Sequence, residues 1–109
     1  MAYDHAVADQ IRAALSDRTD VAEREMFGGI AFLVDGNMAV GVSGDGLMVR
    51  VGPEAHDEAL ALPGAEPFTM APRPMRGWLT VTPVGFATDV DLRAWVARGV
   101  AFAASLPPK

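Results

Sequence analysis

Between Gly29 and Val51 the chain alternates short apolar runs with glycine-centred turn signals, and no other feature constrains its fold so tightly. The runs are Ile30–Val34, Met38–Val42 and Leu47–Val51, and the punctuation is Asp35-Gly36-Asn37 and Gly44-Asp45-Gly46. Runs of this length are strands, and Gly, Asp and Asn tolerate the positive φ that tight hairpin turns demand. The pattern therefore predicts an antiparallel meander. Ile30–Val34 is continuously apolar, as expected of a strand covered on both faces. In the next run, strict alternation places Met38, Val40 and Val42 on one face. The small Ala39 and Gly41 fall on the other, where a helix could approach closely. Leu47, Val49 and Val51 form the inward set of the third strand.

The flanks carry helical signals. Val7, Ile11, Ala14 and Leu15 recur at the spacing of one helix stripe, predicting a helix over His5–Asp17 with Asp4 as its N-cap. Val21–Phe27 reads as a lead-in to a bend at Gly28-Gly29. Gly52-Pro53-Glu54 starts a short second helix over His56–Leu62, which Pro63-Gly64 ends. Four prolines make residues 63–77 irregular, with room for an edge strand near Phe68–Met70. Gly77–Thr82 is a further strand. A last helix follows, capped by Thr88 with Asp91, with Leu92, Trp95, Val96, Phe102 and Leu106 at helical spacing and Gly99 on its buried side. Helix, three strands, helix, one or two strands, helix is the order of an antiparallel α+β domain. A doubly wound parallel sheet would need helical crossovers between successive strands, which the meander lacks.

With 109 residues, one domain is expected. The chain has no cysteine, which removes disulfides, thiolate metal sites and a cysteine nucleophile. The first residues show no basic region followed by an apolar one, so no signal peptide is expected, and no apolar run reaches membrane-spanning length. A cytoplasmic location and no membrane partner are the expectation. The net charge of −5 is uneven: residues 1–66 hold twelve acids and four arginines, whereas residues 67–109 hold two acids, four arginines and one lysine. A polyanion is repelled by the whole molecule, which disfavours direct nucleic-acid binding.

Reactive constellations fail on context. Gly41-Val42-Ser43-Gly44-Asp45 approaches the nucleophile-elbow pattern, but its last glycine is missing and a strand follows, so Ser43 reads as a hairpin serine. Gly41, Gly44 and Gly46 do not follow the phosphate-loop order and no helix begins after them. His5 and His56 are too few and too scattered for a transition-metal site. Glu23 with Glu25 could share one strand face, but solvated charge is the commoner reason for such a pair. Asp57 and Glu58 project from successive helix positions to different sides. No catalytic residue, metal ligand or cofactor is assigned.

The best candidate surface is Arg73-Pro74-Met75-Arg76-Gly77-Trp78, a proline-stiffened segment with two guanidiniums, a thioether and an indole. Arg binds carboxylates and phosphates bidentately, and Met and Trp favour interfaces. Arg50, which points away from Val49 and Val51, can join it. Arg50, Arg73, Met75, Arg76 and Trp78 therefore form the candidate interaction surface. The alternative is structural, with arginine stems covering apolar surface and Trp78 in the core. A second functional class uses the same arginines to grip a small anion or other small molecule, as a binding domain or an enzyme, in a pocket between sheet and helices.

Arg24-Glu25-Met26-Phe27-Gly28-Gly29-Ile30-Ala31-Phe32, Asp35-Gly36-Asn37-Met38 and Leu47-Met48-Val49-Arg50-Val51 resemble the N-terminal domain of the TfoX/Sxy family. Pro74-Met75-Arg76-Gly77-Trp78 and the Trp95–Pro108 segment are similar to its single-domain members. The resemblance implies an α-β(3)-α-β(2)-α two-layer sandwich similar to type III secretion chaperones, and often a homodimer. Two-domain members regulate natural competence as partners of a transcription activator. The second, helical domain of those members has no counterpart in these residues, which leaves open whether a competence role carries over. The resemblance implies a non-enzymatic protein-interaction or regulatory module with an unidentified protein partner, and it supplies no catalytic residue.

Overall fold

The structure is a computed structural model that describes residues 3–26, 28–68 and 76–109, apart from the side chain of Met26. In chain order it contains α1 (His5–Ala14), β1 (Val21–Met26), β2 (Gly29–Val34), β3 (Asn37–Ser43) and β4 (Gly46–Arg50). These are followed by α2 (His56–Leu60), β5 (Ala65–Pro67), β6 (Trp78–Val81), a 3-10 turn (Pro83–Phe86) and α3 (Asp89–Ala104). The six strands form one sheet in the order β1-β2-β3-β4-β6-β5, with every neighbouring pair antiparallel. The fold is α+β, as the element order predicts.

Local chemistry accounts for most boundaries. The Asp4 carboxylate accepts from the Ala6 and Val7 amides at 2.9 and 3.3 Å, capping α1. Asp35 and Gly36, at φ 50° and 84°, make the two-residue turn between β2 and β3, a conformation few residues other than Gly, Asn and Asp adopt cheaply. Ser43 closes β3 opposite Gly46, as a hairpin serine should. Thr88 Oγ1 accepts from the Asp91 amide at 3.1 Å and starts α3.

The meander has one strand more than the sequence pattern predicts. Val21–Met26 is not a lead-in but β1, paired along its length with β2. Its Glu-Arg-Glu centre hides the alternation that marks a strand, and charge is what an edge strand tolerates. Arg12 of α1 ties it down: Nε and Nη2 donate to the two Glu23 carboxylate oxygens at 2.8 and 2.9 Å, while Nη1 donates to Asp9 at 2.6 Å. The late edge strand lies at Ala65–Pro67, earlier than Phe68–Met70, of which residues 69 and 70 fall outside the described residues. Pro67 is acceptable there because β5 is the outermost strand.

The facing within β3 also departs from strict alternation. Phe32 opposes Val40 but Leu33 opposes Met38, so a bulge falls at Ala39. One extra residue reverses the facing on either side of it. Met38 therefore joins Gly41 on the sheet face away from Val40 and Val42, and the ends of Met38 and Met48 close over Gly41. Ala39 turns its carbonyl towards α3 instead, against Gly99.

Ile30, Phe32 and Val34 of β2, with the inward residues of β3, β4 and β6, meet Val7 and Ile11 of α1, Ala59 of α2 and Leu92, Trp95 and Val96 of α3 in one core. Burying each larger aliphatic side chain is worth about 1.5–3 kcal/mol. The indole N–H of Trp95 donates to the Gly85 carbonyl at 3.1 Å, so the largest ring of α3 enters the core with its polar atom satisfied. Among the described residues, no helix is long and apolar enough to cross a membrane.

Two stability outcomes follow from these contacts. A Cβ at Gly99 would overlap the Ala39 carbonyl oxygen, which is backbone and cannot swing aside. Gly99→Ala gains up to about 1 kcal/mol in helix propensity, but overpacking costs about 1–3 kcal/mol. Chemical denaturation is expected to show a net loss of roughly 1–2 kcal/mol for Gly99→Ala, and a larger one for Gly99→Val. Arg12 holds the Glu23 carboxyl below the usual carboxylate range through its hydrogen bonds. That contribution is present above the unfolded carboxylate value and is lost as the pH falls through the folded one. Both side chains are more than a third exposed, which limits the pair to under about 1 kcal/mol. Glu23→Gln should therefore cost a few tenths of a kcal/mol to about 1 at pH 7, and the difference from the parent chain should fade as acidification protonates the Glu23 carboxyl of the folded chain.

Candidate functional site

The predicted surface residues that fall within the described structure gather at one corner, where β4 ends, β6 begins, α2 starts and α3 finishes. Antiparallel pairing sets Arg50 directly opposite Trp78. The Arg50 guanidinium lies 5.2 Å from the Trp78 ring centroid and 5.2 Å from that of Phe102. Phe102 reaches it because Gly52, at φ 87°, leaves no Cβ in the way of its ring. Phe68 continues the aromatic row, its ring 5.8 Å from Trp78 and tilted by 39°. Arg50 is half-buried and, among the described residues, makes no ion pair with any carboxylate. Every acidic residue of the chain lies within that described set. The guanidinium is held by π-faces rather than by a carboxylate.

Arg76 is used differently. Its Nη1 and Nη2 each donate to a carboxylate oxygen of Asp57 at 3.3 Å, and this pairing lowers the Asp57 pKa. Beside it, the Gly77 amide donates to Nδ1 of His56 at 2.9 Å, while the Gly77 carbonyl accepts from the Val51 and Gly52 amides at 2.8 and 3.1 Å. Arg73 and Met75 lie outside the described residues.

A groove of about 520 Å³ runs beside this corner between the β4–α2 connection and α3. Its floor is apolar, with Val51, Pro53, Ala101 and Phe102, and its polar edge is Glu54, Arg98 and Ser105. Arg98 belongs to a loose pair with Glu58 at 3.7 Å. Neither Arg50 nor Arg76 lines the groove. The arginines expected to grip an anion thus meet an aromatic pair and a carboxylate respectively.

The remaining candidates do not converge. His5 stacks on Tyr3 with centroids 4.5 Å apart at the start of α1, whereas His56 starts α2. Among the described residues, no three His, Asp or Glu side chains are grouped to hold a metal ion. Sequence reasoning missed the parts played by three residues, Phe102, His56 and Asp57. Phe102 looks like one more helix-stripe residue until the glycine at 52 is known to admit it. The His56–Gly77 and Asp57–Arg76 contacts join residues about twenty apart and leave no local signature.

A family model described as the TfoX N-terminal domain matches residues 13–103. The chain belongs to the TfoX N-terminal domain family. In this TfoX N-terminal domain the match begins at the end of α1, takes in every strand and runs almost to the end of α3. It thus includes Arg50, Trp78 and Phe102. Neither the curated proteins nor the solved structures give a match to the chain.

The cation–π arrangement predicts a modest, specific stability effect. Arg50→Ala should lower the denaturation free energy by roughly 1 kcal/mol and alter the Trp78 emission. Arg50→Lys should restore only part of it, because an ammonium lacks the planar group that stacks on rings.

Proposed function

We propose that the chain is a non-enzymatic protein-interaction or regulatory module, and that it docks its partner at the Arg50–Trp78 corner. Arg76 borders the contact. The observation that carries this reading is Arg50: its guanidinium is positioned by Trp78 and Phe102 and has no internal carboxylate. A side chain ordered before binding loses less entropy when it engages. Arg and Trp are also the residue types most often found as interface anchors. The partner surface that fits is acidic, since a carboxylate would complete the half-occupied cation. The groove lined by Pro53, Ala101 and Phe102 offers apolar contact beside it.

A second copy of the chain, as the family resemblance implies, is proposed to bind away from the sheet edges. On β1, an antiparallel two-fold pairing centred on Arg24 would set Arg24 against Arg24 and Glu23 against Glu25. Like charges directly opposite destabilise a strand pair. The other edge, β5, is three residues long and ends in Pro67, which donates no hydrogen bond.

Two experiments test these proposals. Crosslinking in extracts of the source organism should recover a specific partner, with recovery falling tenfold or more for Arg50→Gln combined with Arg76→Glu. Losing one interface anchor worth about 1.4 kcal/mol or more accounts for that factor. Undiminished recovery by a folded double variant would remove the corner as the docking site. Because the chain has no cysteine, Glu23→Cys and Arg24→Cys each introduce a single thiol at the β1 edge. Mild oxidation is expected to leave both uncrosslinked; efficient disulfide-linked dimers would place the second copy on that edge.

A further inference from the structure

At the corner where the chain re-enters the sheet, one residue is held from both sides. The Gly77 carbonyl accepts two amides from the exit of β4, and the Gly77 N–H donates to Nδ1 of His56, which is half-buried at the start of α2. Gly77 sits at φ 94°, with its Cα against the Gly52–Pro53 backbone, so nothing bulkier fits there. An Nδ1 that accepts a hydrogen bond carries no proton, so the ring is neutral with its proton on Nε2. We infer that His56 is a proton-controlled pin: neutral, it ties Arg76-Gly77 to α2, and protonated at Nδ1, it presents a second donor to the Gly77 amide and lets that end go.

The charged groups at this corner and on β5, which packs against α2, are Glu54 on the connection before α2, Asp57 and Glu58 on α2, Glu66 on β5, Arg76 before β6, Arg50 on β4 and Arg98 on α3. The four acids favour the cationic ring and the three arginines oppose it. None of the seven replaces the Nδ1 lone pair as an acceptor for the Gly77 amide, because that amide has its bond to His56 alone among the described residues. The Asp57–Arg76 pair crosses the same gap, but both side chains are more than half exposed, and such a pair is weak. Imidazole is the side chain whose protonation near neutral pH makes such a pin possible. The regulatory consequence, release of the Arg76 border of the docking corner, rests on the proposed function; the pin itself does not.

The test uses the isolated full chain, with no partner present. NMR should show His56 as the Nε2-protonated tautomer at pH 8, with the Gly77 amide shift titrating at the His56 midpoint on acidification. Hydrogen-exchange protection of Gly77, corrected for intrinsic rates, should fall roughly fivefold between pH 8 and 5, the size of one net hydrogen bond. Protection at Val40, in the core, should hold. In His56→Asn the side-chain oxygen stands near the Nδ1 position as an acceptor that does not titrate, and the Gly77 pH response should disappear. An Nδ1-protonated tautomer at pH 8, a Gly77 amide indifferent to pH, an equal response in His56→Asn, or parallel loss at Val40 would each overturn the pin. The tautomer reading stands on the parent chain alone, so it decides the matter even if the variant does not fold. A failed partner experiment leaves all these readouts untouched.

Discussion

The close seating of α3 on the sheet at Gly99 is the contact on which the rest of the architecture depends. With no side chain at that position, the helix backbone meets the Ala39 carbonyl at the centre of β3, where the bulge has turned it outward. That approach lets Leu92, Trp95 and Val96 reach the sheet residues they pack on. It also determines what the far end of the helix can touch. Phe102 comes down on Gly52, and the segment after α3 crosses the β2–β3 turn. There the buried Asn37 donates from Nδ2 to the Pro107 carbonyl at 3.0 Å, and the Lys109 amide donates to the Asp35 carbonyl at 2.8 Å. Raising the helix by one methyl group would disturb the core and the aromatic cradle of Arg50 together.

The ranking of forces is clear. Apolar burial between the sheet and three helices supplies the dominant stabilisation, at roughly 25 cal/mol for each Å² removed from water. The ion pairs among the described residues are all at least partly exposed and contribute under about 1 kcal/mol apiece. Their role is directional: Arg12 aligns α1 with β1, and Asp57 keeps Arg76 beside α2. Polar atoms within the core are few and satisfied, with no buried side-chain nitrogen or oxygen left unpartnered among the described residues.

Much of this was legible from the chain. Turn glycines, the Asp4 and Thr88 caps and the buried side of α3 all rest on local rules, and local rules are what a sequence displays. The failures share a different cause. β1 was hidden because an edge strand need not alternate, and the facing of Met38 was misjudged because a bulge carries no signal when the bulged residue is an ordinary alanine. At the candidate site, Arg50 and Trp78 could be paired on strand logic, whereas Phe102, His56 and Asp57 could not. Their partners lie across the fold, and only the tertiary arrangement brings them together.

The two described arginines at the corner then differ in a way that bears on recognition. Arg76 already has a carboxylate, so engaging a partner there means exchanging one exposed ion pair for another, with little net gain. Arg50 has only π-faces, whose attraction for a cation does not consume its in-plane N–H donors. A carboxylate arriving in the guanidinium plane would keep the cation–π contacts and add two charge-assisted hydrogen bonds. It would do so on a side chain whose conformation is already paid for by folding. The same geometry explains why a lysine would be a poor substitute: it would keep the charge and lose both the stack and the fork. On the proposed docking, specificity at this corner resides in the planar fork of one side chain, and that side chain is held by a ring which reaches it only because residue 52 is glycine.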